Sequence, residues 1–419
     1  MRSEPISDAV NSARKAPVPT VPGADPGSGR GPEWLDRYLL DRLPALVATR
    51  RDIHAHPELG HAESATSAVI LRSLRDVGIT GTLLPSGTGV VAEIGSGERL
   101  VALRADIDAL PLREVTGLPF ASTVPGVAHA CGHDIHTTAL IGAAQALASA
   151  GDLPGSVRLI WQPAEEMMPG GSEEVIASGA LAGVERIFTI HCDPRLEVGR
   201  VGLRVGPITS TSDVIDLRLA GPGGHTARPH LTADLIHAMG MVITGLPSLL
   251  TRRMNPRSVP VMVWGNVASG VAANAIPESG TLRGTLRLMD RGGWDLAEPL
   301  VREIVGAILA PTGCGFTLDY QRGVPPVEND AVSTEILRAA ATTAIGSESI
   351  ALAEQSTGAE DFATYLDHVP GALARVGVWD GVGPQVDLHS PGFCADERAL
   401  PVAVRLLALT AMESFDVPR

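Results

Sequence analysis

An α/β fold with a mainly parallel central sheet, interrupted by an inserted ferredoxin-like α+β domain, is what the sequence predicts. Three observations carry that prediction. Apolar strands alternate with helix-patterned segments through residue 208, which signals a largely parallel sheet covered on both faces. From 209 to 322 the order becomes βαββαβ, the ferredoxin-like unit. After Pro325-Pro326 the α/β pattern resumes.

Residues 1–32, rich in Pro, Gly and Ser, read as a disordered tail without the apolar core of a signal peptide. Order begins near Trp34, and a helical pattern over Leu43–His54 stops before Pro57. A second helix is expected over Glu63–Val77, then strands at Gly89–Ile94 and Leu100–Arg104 with Gly-rich turns between them. Ile135–Ala148, full of Ala and Leu, reads as a buried helix. Strands Val157–Trp161 and Arg186–Ile190 follow, with a helix near Glu173–Ala180 between them. In the inserted region Asp213–Ala220 alternates as a strand and Thr232–Leu250 reads as a long helix. Strands at Val259–Val263 and Thr281–Met289, a helix at Trp294–Leu309 and a strand at Phe316–Gln321 complete it. The predicted division is therefore 33–208 with 323–419 as one domain and 209–322 as the insertion.

Composition narrows the function. At 419 residues the chain exceeds one ordinary core. A net charge of −14, with Lys15 the single lysine, leaves no basic stripe for nucleic acid or anionic membrane. No stretch approaches the roughly 20 apolar residues of a membrane span. Cys131, Cys192, Cys314 and Cys394 lack framework spacing, so reduced thiols in the cytoplasm are expected.

The chemistry sits where strands end. Ligands of open α/β sheets collect outside the carboxyl ends of the strands. Arg104-Ala105-Asp106-Ile107-Asp108, Gln162-Pro163-Ala164-Glu165-Glu166 and His191 each follow a predicted strand, and Cys131-Gly132-His133-Asp134 precedes the buried helix. Thiolate, imidazole and carboxylate suit a zinc-like ion, and two ions need about five such donors. Cys131, His133, one of Glu165 and Glu166, His191 and a late histidine would supply them. The other glutamate is then free to move a proton. Singly, each feature has an ordinary explanation: a Glu-Glu pair starts many helices, and a strand-end histidine is often a hydrogen-bonded core residue.

Together these segments resemble the amidohydrolases that include hippurate hydrolase, auxin-conjugate hydrolases and N-acetyldiaminopimelate deacetylase, relatives of aminoacylase and the zinc exopeptidases. The resemblance runs from about Arg50 to Phe393. It rests on His54 with Pro57-Glu58-Leu59-Gly60, on Leu103-Arg104-Ala105-Asp106-Ile107-Asp108-Ala109-Leu110-Pro111, and on His129-Ala130-Cys131-Gly132-His133-Asp134. Gln162 to Glu166, Gly170-Gly171, His191, Gly223-Gly224-His225, Asn274-Ala275-Ile276-Pro277 and Gly284-Thr285-Leu286-Arg287 continue it. Gly358-Ala359-Glu360-Asp361-Phe362 and Leu388-His389-Ser390-Pro391 close it.

The resemblance implies a zinc-exopeptidase-like catalytic domain and a lid or dimerisation role for the insertion. It implies two divalent ions (Zn, Mn, Co or Ni), held by Cys131, His133, Glu166, His191 and His389, with Cys131 shared. Glu165 matches the general base, and Asp106 the carboxylate that orients the ligands. His225, Asn274 and Arg287 match residues that meet substrate, His225 from the partner of a homodimer. The expected substrate is a small N-acyl amino acid. A dipeptidase or carboxypeptidase with the same metals, a non-catalytic binding relative, and a thiol enzyme using Cys131 are the alternatives. His129 and His136 read equally as packing or as support for the ligands; Glu360 and Asp361 read as loop-shaping. Pro222 and Ile135 depart from the family pattern beside matched segments.

Overall fold

The computed structural model describes residues 21–25 and 30–418. Of the expected tail, residues 1–20 and 26–29 lie outside the described residues. Val21 and Ala24 pack against the main core, and the Gly23 carbonyl accepts from Arg405 Nε at 3.2 Å.

An eight-stranded sheet forms the larger layer. Its order is Gly81–Leu83, Val90–Ile94, Ser156–Gln162, Leu100–Asp106, Arg186–Glu197, Gly371–Trp379, Val201–Leu203, Ile350–Leu352. The four central strands run parallel, and antiparallel pairs flank them on both sides. Burial on two faces explains their sequences, because such strands need apolar runs rather than alternation. All seven residues of Leu100–Asp106 are buried, as are eight of the nine in Gly371–Trp379.

The two faces are covered unequally. Helices Glu33–Ala55, Ser64–Arg75, His133–Ser149, Ala331–Ile345 and Ala399–Asp416 share the main core with one face. Every residue from His133 to Leu147 is buried, including Ile135, which packs into that core. The opposite face carries a smaller cluster, with Val175 from the short helix Ser172–Ala177 and Phe362 and Tyr365 from Phe362–Tyr365. The first helix begins at Glu33, earlier than its sequence pattern suggests, and carries Pro44 inside it.

The second sheet has four strands in the order Val261–Ser269, Ser279–Arg287, Asp213–Ala220, Gly315–Gln321, all antiparallel to their neighbours. Helices Leu235–Arg253 and Arg291–Leu309 pack on it around a core of their own. Contrary to the expectation that no stretch approaches a membrane span, Leu235–Arg253 is long and apolar enough to cross one by length and composition. Here it buries Leu235, Ala238, Met239, Val242, Leu246 and Leu250 in the second core. At the root of this unit the buried Asp213 carboxylate accepts from Trp294 Nε1 at 2.9 Å, Tyr320 Oη at 2.5 Å and Gly323 N at 3.0 Å. Arg287 donates to Thr357 O at 3.1 Å, and Gln355 donates to Thr209 O at 3.0 Å and to Met289 O at 2.7 Å. These bonds fix the second unit beside the carboxyl ends of the large sheet.

Candidate metal centre and active site

Three neighbouring parallel strands bring the site together. Asp106 ends one strand and pairs with Gln162 at the end of the next, so the Glu165-Glu166 loop leaves the sheet beside Asp106. The sequence reading ends the third strand at Ile190, but it continues to Glu197. Its partner Gly371–Trp379 supplies the extra rungs. On its other side the pairing with Leu100–Asp106 stops at Thr189, so His191 still emerges past that neighbour's last rung.

Cys131 and His133 are set by the turn between them. Gly132 has φ 88° and caps the buried helix. A Cβ there would fall 2.7 Å from Cys192 Sγ, so glycine is required both by backbone angle and by space. The His133 ring lies with Nδ1 2.9 Å from Asp108 O. A carbonyl only accepts, so Nδ1 carries the proton and Nε2 presents a lone pair, buried and without a hydrogen-bond partner. His191 repeats the arrangement: Nδ1 donates to Cys192 O at 2.8 Å, and Nε2 faces Cys131 Sγ at 3.6 Å.

The donors converge in two overlapping groups. Ligand atoms of Cys131, His133 and His191 lie within 4.8 Å of one another, as do those of Cys131, Glu166 and His389. Cys131 belongs to both. Two donors at about 2.3 and 2.0 Å from one tetrahedral ion stand roughly 3.6 Å apart, the separation between Cys131 Sγ and His191 Nε2. The donor set and the unpartnered His133 Nε2 therefore fit a pair of divalent ions. His136 falls near the same atoms but is not free to bind: Nδ1 is 2.6 Å from Asp106 Oδ1, and Nε2 accepts from Cys192 N at 2.8 Å. It positions Asp106.

The charge around these donors is strongly negative. Glu165 lies beside Glu360 and Asp361. Burial, then Glu360 and Glu166, push its carboxyl well above the usual range. The Cys131 thiol is pushed up by burial and by Glu166 and Glu165. Burial opposes charge on His133, yet Asp106 and Asp108 outweigh it and raise its pKa to about 10. Groups that draw protons this strongly favour cations in their place, whereas burial, then Arg375 and His136, hold the His191 imidazole well below its usual range. Arg104 anchors the acids from beneath, with Asp106 at 2.6 Å, Asp361 at 2.9 Å and Glu360 at 3.1 Å. Asp106 is held well below the usual carboxylate range despite burial, because His133, His136 and Arg104 surround it.

A cavity of about 360 Å³ opens over these groups, lined among others by Cys131, Glu165, Glu166, His191, Arg287 and His389. That volume suits a small molecule. His225 and Asn274 are not among its lining residues. Both are exposed: His225 pairs with Ala275 in a two-stranded ribbon, and Asn274 immediately precedes Ala275. His129 is fully buried with neither ring nitrogen bonded, its ring 6.3 Å from that of His54.

Several site residues escape sequence reasoning. Asp108 holds His133 and accepts from Glu166 N at 3.0 Å. Glu360 and Asp361 are buried beside Glu165 rather than merely shaping a loop. The available signal was charge inside otherwise apolar segments, as in Arg104-Ala-Asp106-Ile-Asp108, since buried charges are retained only when paired or functional.

Fold and donor set together define a class, the metal-dependent hydrolases of amide bonds. The chain belongs to the peptidase family M20/M25/M40, whose sequence profile matches residues 102–413. It is 49% identical to a putative glutamate–cysteine ligase 2-3 of Rhodococcus jostii over 98% of this chain, but spans only 54% of that protein's length. It is 38% identical to N-acetylcysteine deacetylase of Bacillus subtilis, over 88% of this chain and 96% of the relative. The solved structure of the Bacillus subtilis YXEP protein, described as a dinuclear metal binding peptidase of the M20 family, superposes with a TM-score of 0.80. That match has 35% identity and covers 90% of this chain and 98% of the other.

Proposed function

We propose that the protein hydrolyses the amide bond of a small N-acyl amino acid, with Glu165 as general base beside a two-ion centre. The observation that carries this reading is the placement of Glu165 next to the convergent donors Cys131, His133, Glu166, His191 and His389. Bound there, the ions would supply a water of lowered pKa and positive charge for the carbonyl oxygen. Glu165 takes the proton of the attacking water and returns it to the leaving nitrogen. A carboxyl pushed upward by burial and neighbouring acids suits a group that must hold that proton between the two transfers. Asp106 and Asp108 orient the histidines.

In this reading residues 33–208 and 323–419 form the catalytic domain, and 209–322 form a lid whose closure excludes water. Arg287 and Asn274 hold the amino-acid carboxylate, and His225 stabilises the developing oxyanion. Exposure of His225 and Asn274 outside their own cavity favours delivery to the site of a second copy. The edge strand Val261–Ser269, with Val261, Val263 and Val267 exposed, offers a surface for that homodimer. Four free thiols fit a reducing compartment, and we place the enzyme in the cytoplasm. Similarity to an N-acetylcysteine deacetylase supports an N-acyl amino acid over a dipeptide.

The test is chelation followed by return of single metals (Zn, Mn, Co, Ni) against N-acyl amino acids and dipeptides. Activity should vanish and return with about two ions per chain. Glu165→Gln should lower kcat by about 10²- to 10⁴-fold while metal content stays at the wild-type level. Near-normal turnover in that variant would overturn the base assignment. Preference for dipeptides would establish the peptidase alternative.

A further inference from the structure

One arginine of the cavity forms no ion pair among the described residues. Arg375 stands on the central strand Gly371–Trp379, in register with His191, and lines the cavity with Cys131 and Glu360. It is only 5% exposed. Its Nε has no hydrogen-bond partner, and among the described residues the side chain forms no ion pair.

The nearby acids Asp193 and Glu360 form no ion pair with it and bond elsewhere, Glu360 through Oε1 alone, its buried Oε2 being without a hydrogen-bond partner. Asp193 accepts from Arg195 N, Nε and NH2 at 2.9, 3.1 and 3.1 Å. Glu360 faces Arg104 at 3.1 Å and accepts from Phe362 N at 3.0 Å. Arg287, the other arginine of the cavity, donates to the Thr357 carbonyl. A buried guanidinium without a bonded acceptor is left with unmet hydrogen-bonding capacity. Such a group is costly in the free protein, and a ligand that supplies the missing acceptor removes that cost. The guanidinium fork matches a carboxylate in shape and charge.

We infer that Arg375 recognises a substrate carboxylate other than the one assigned above to Arg287 and Asn274, so the preferred amide carries two carboxylates. This rests on the amidohydrolase reading. The second carboxylate belongs either to the acyl group, as in a succinyl amide, or to the side chain of the amino acid, as in an N-acylated glutamate.

Two substrate pairs separate these sources: N-succinyl-leucine against N-butanoyl-leucine, and N-acetylglutamate against N-acetylglutamine. The metal-loaded wild type should prefer the charged member of one pair by about tenfold or more in kcat/KM, mainly through KM. In Arg375→Met that preference ratio should fall to near one, and Arg375→Lys should keep part of it. Calorimetric binding of glutarate and succinate to the same proteins gives a readout independent of turnover. Wild type should bind at least one of them about tenfold or more tighter than Arg375→Met. Equal ratios and equal dicarboxylate affinities in wild type and Arg375→Met would overturn the inference. If no amide is cleaved, the amidohydrolase reading fails, while the calorimetry still decides the role of Arg375.

Discussion

Glu166 Oε1 lies 3.1 Å from His389 Nε2, although their loops arise from distant parts of the chain. His389 reaches this position with φ 58°, and its backbone N donates to Ala130 O at 2.8 Å, next to Cys131. One loop thus closes the donor group formed by Cys131 and Glu166. Its side chain is 52% exposed, whereas His133 and His191 are buried. Replacing His389 by Ala should remove one of two ions per chain and leave the fold intact. Metal analysis after gel filtration checks this. Two ions retained at wild-type affinity would exclude His389 from the ligand set.

Arg104 is the second lever. It is fully buried and bonded to Asp106, Glu360, Asp361 and Gln162. Arg104→Met should cost roughly 3–5 kcal/mol, since three buried acids lose their shared counter-charge. Lysine should not restore stability, because a single ammonium cannot serve a forked set of acceptors. Urea denaturation measures both. A loss below about 1 kcal/mol would show that the acids share their charge elsewhere.

Asp330 offers a pH-dependent contribution far from the donors. Its carboxylate caps helix Ala331–Ile345, accepting from Ser333 N and Oγ, both at 2.8 Å, and from Arg186 NH1 at 2.9 Å. Burial opposes ionisation, but these donors prevail and depress the folded-state pKa. A depressed carboxylate stabilises above its unfolded pKa of about 3.9, and that stability is lost as pH falls through the folded value. Asp330→Ala should therefore cost about 1 kcal/mol at pH 7. The difference from wild type should shrink as the pH drops below about 4. A difference that persists unchanged at pH 2 would mean that the carboxylate charge is not responsible.

His225 gives a test of the assembly. Glu165→Gln and His225→Ala proteins, each inactive alone, should regain about a quarter of wild-type activity after unfolding and mixed refolding. That result requires one intact site per mixed dimer, with His225 supplied across the interface. Absence of any gain, with mixed dimers present by mass, would place His225 in its own subunit's site or outside catalysis.

Much of the fold was legible because strands buried on both faces must be apolar, as Leu100–Asp106 is, while the second sheet's one-sided strands alternate, as Asp213–Ala220 does. Glu165, Glu166 and His191 were legible as chemistry because polar groups after the ends of such strands have few structural uses, and Cys131 because it stands with His133 at the start of a buried helix. Strand order was not legible. The partner that extends Arg186–Glu197 past His191 is Gly371–Trp379, and nothing local in either segment names the other. For the same reason Arg375 is not singled out, and Glu360 and Asp361 read as a loop until the fold brings them beside Glu165. The exposure of His225 and Asn274 was equally hidden, since short motifs rich in Gly, Asn and Pro occur in buried and exposed turns alike.

The position of Gly371–Trp379 also bears on the order of synthesis. The second sheet, complete by Gln321, has its own core and can form while the chain is still being made. The large sheet cannot, because one of its four parallel inner strands, Gly371–Trp379, is the last to be translated among the described residues. Until it arrives, Arg186–Glu197 has one open edge and an unfilled side, a template for wrong partners. A ribosome that stalls or terminates before residue 379 thus leaves a folded second unit tethered to an unclosed sheet, and that species is the one a chaperone would have to hold.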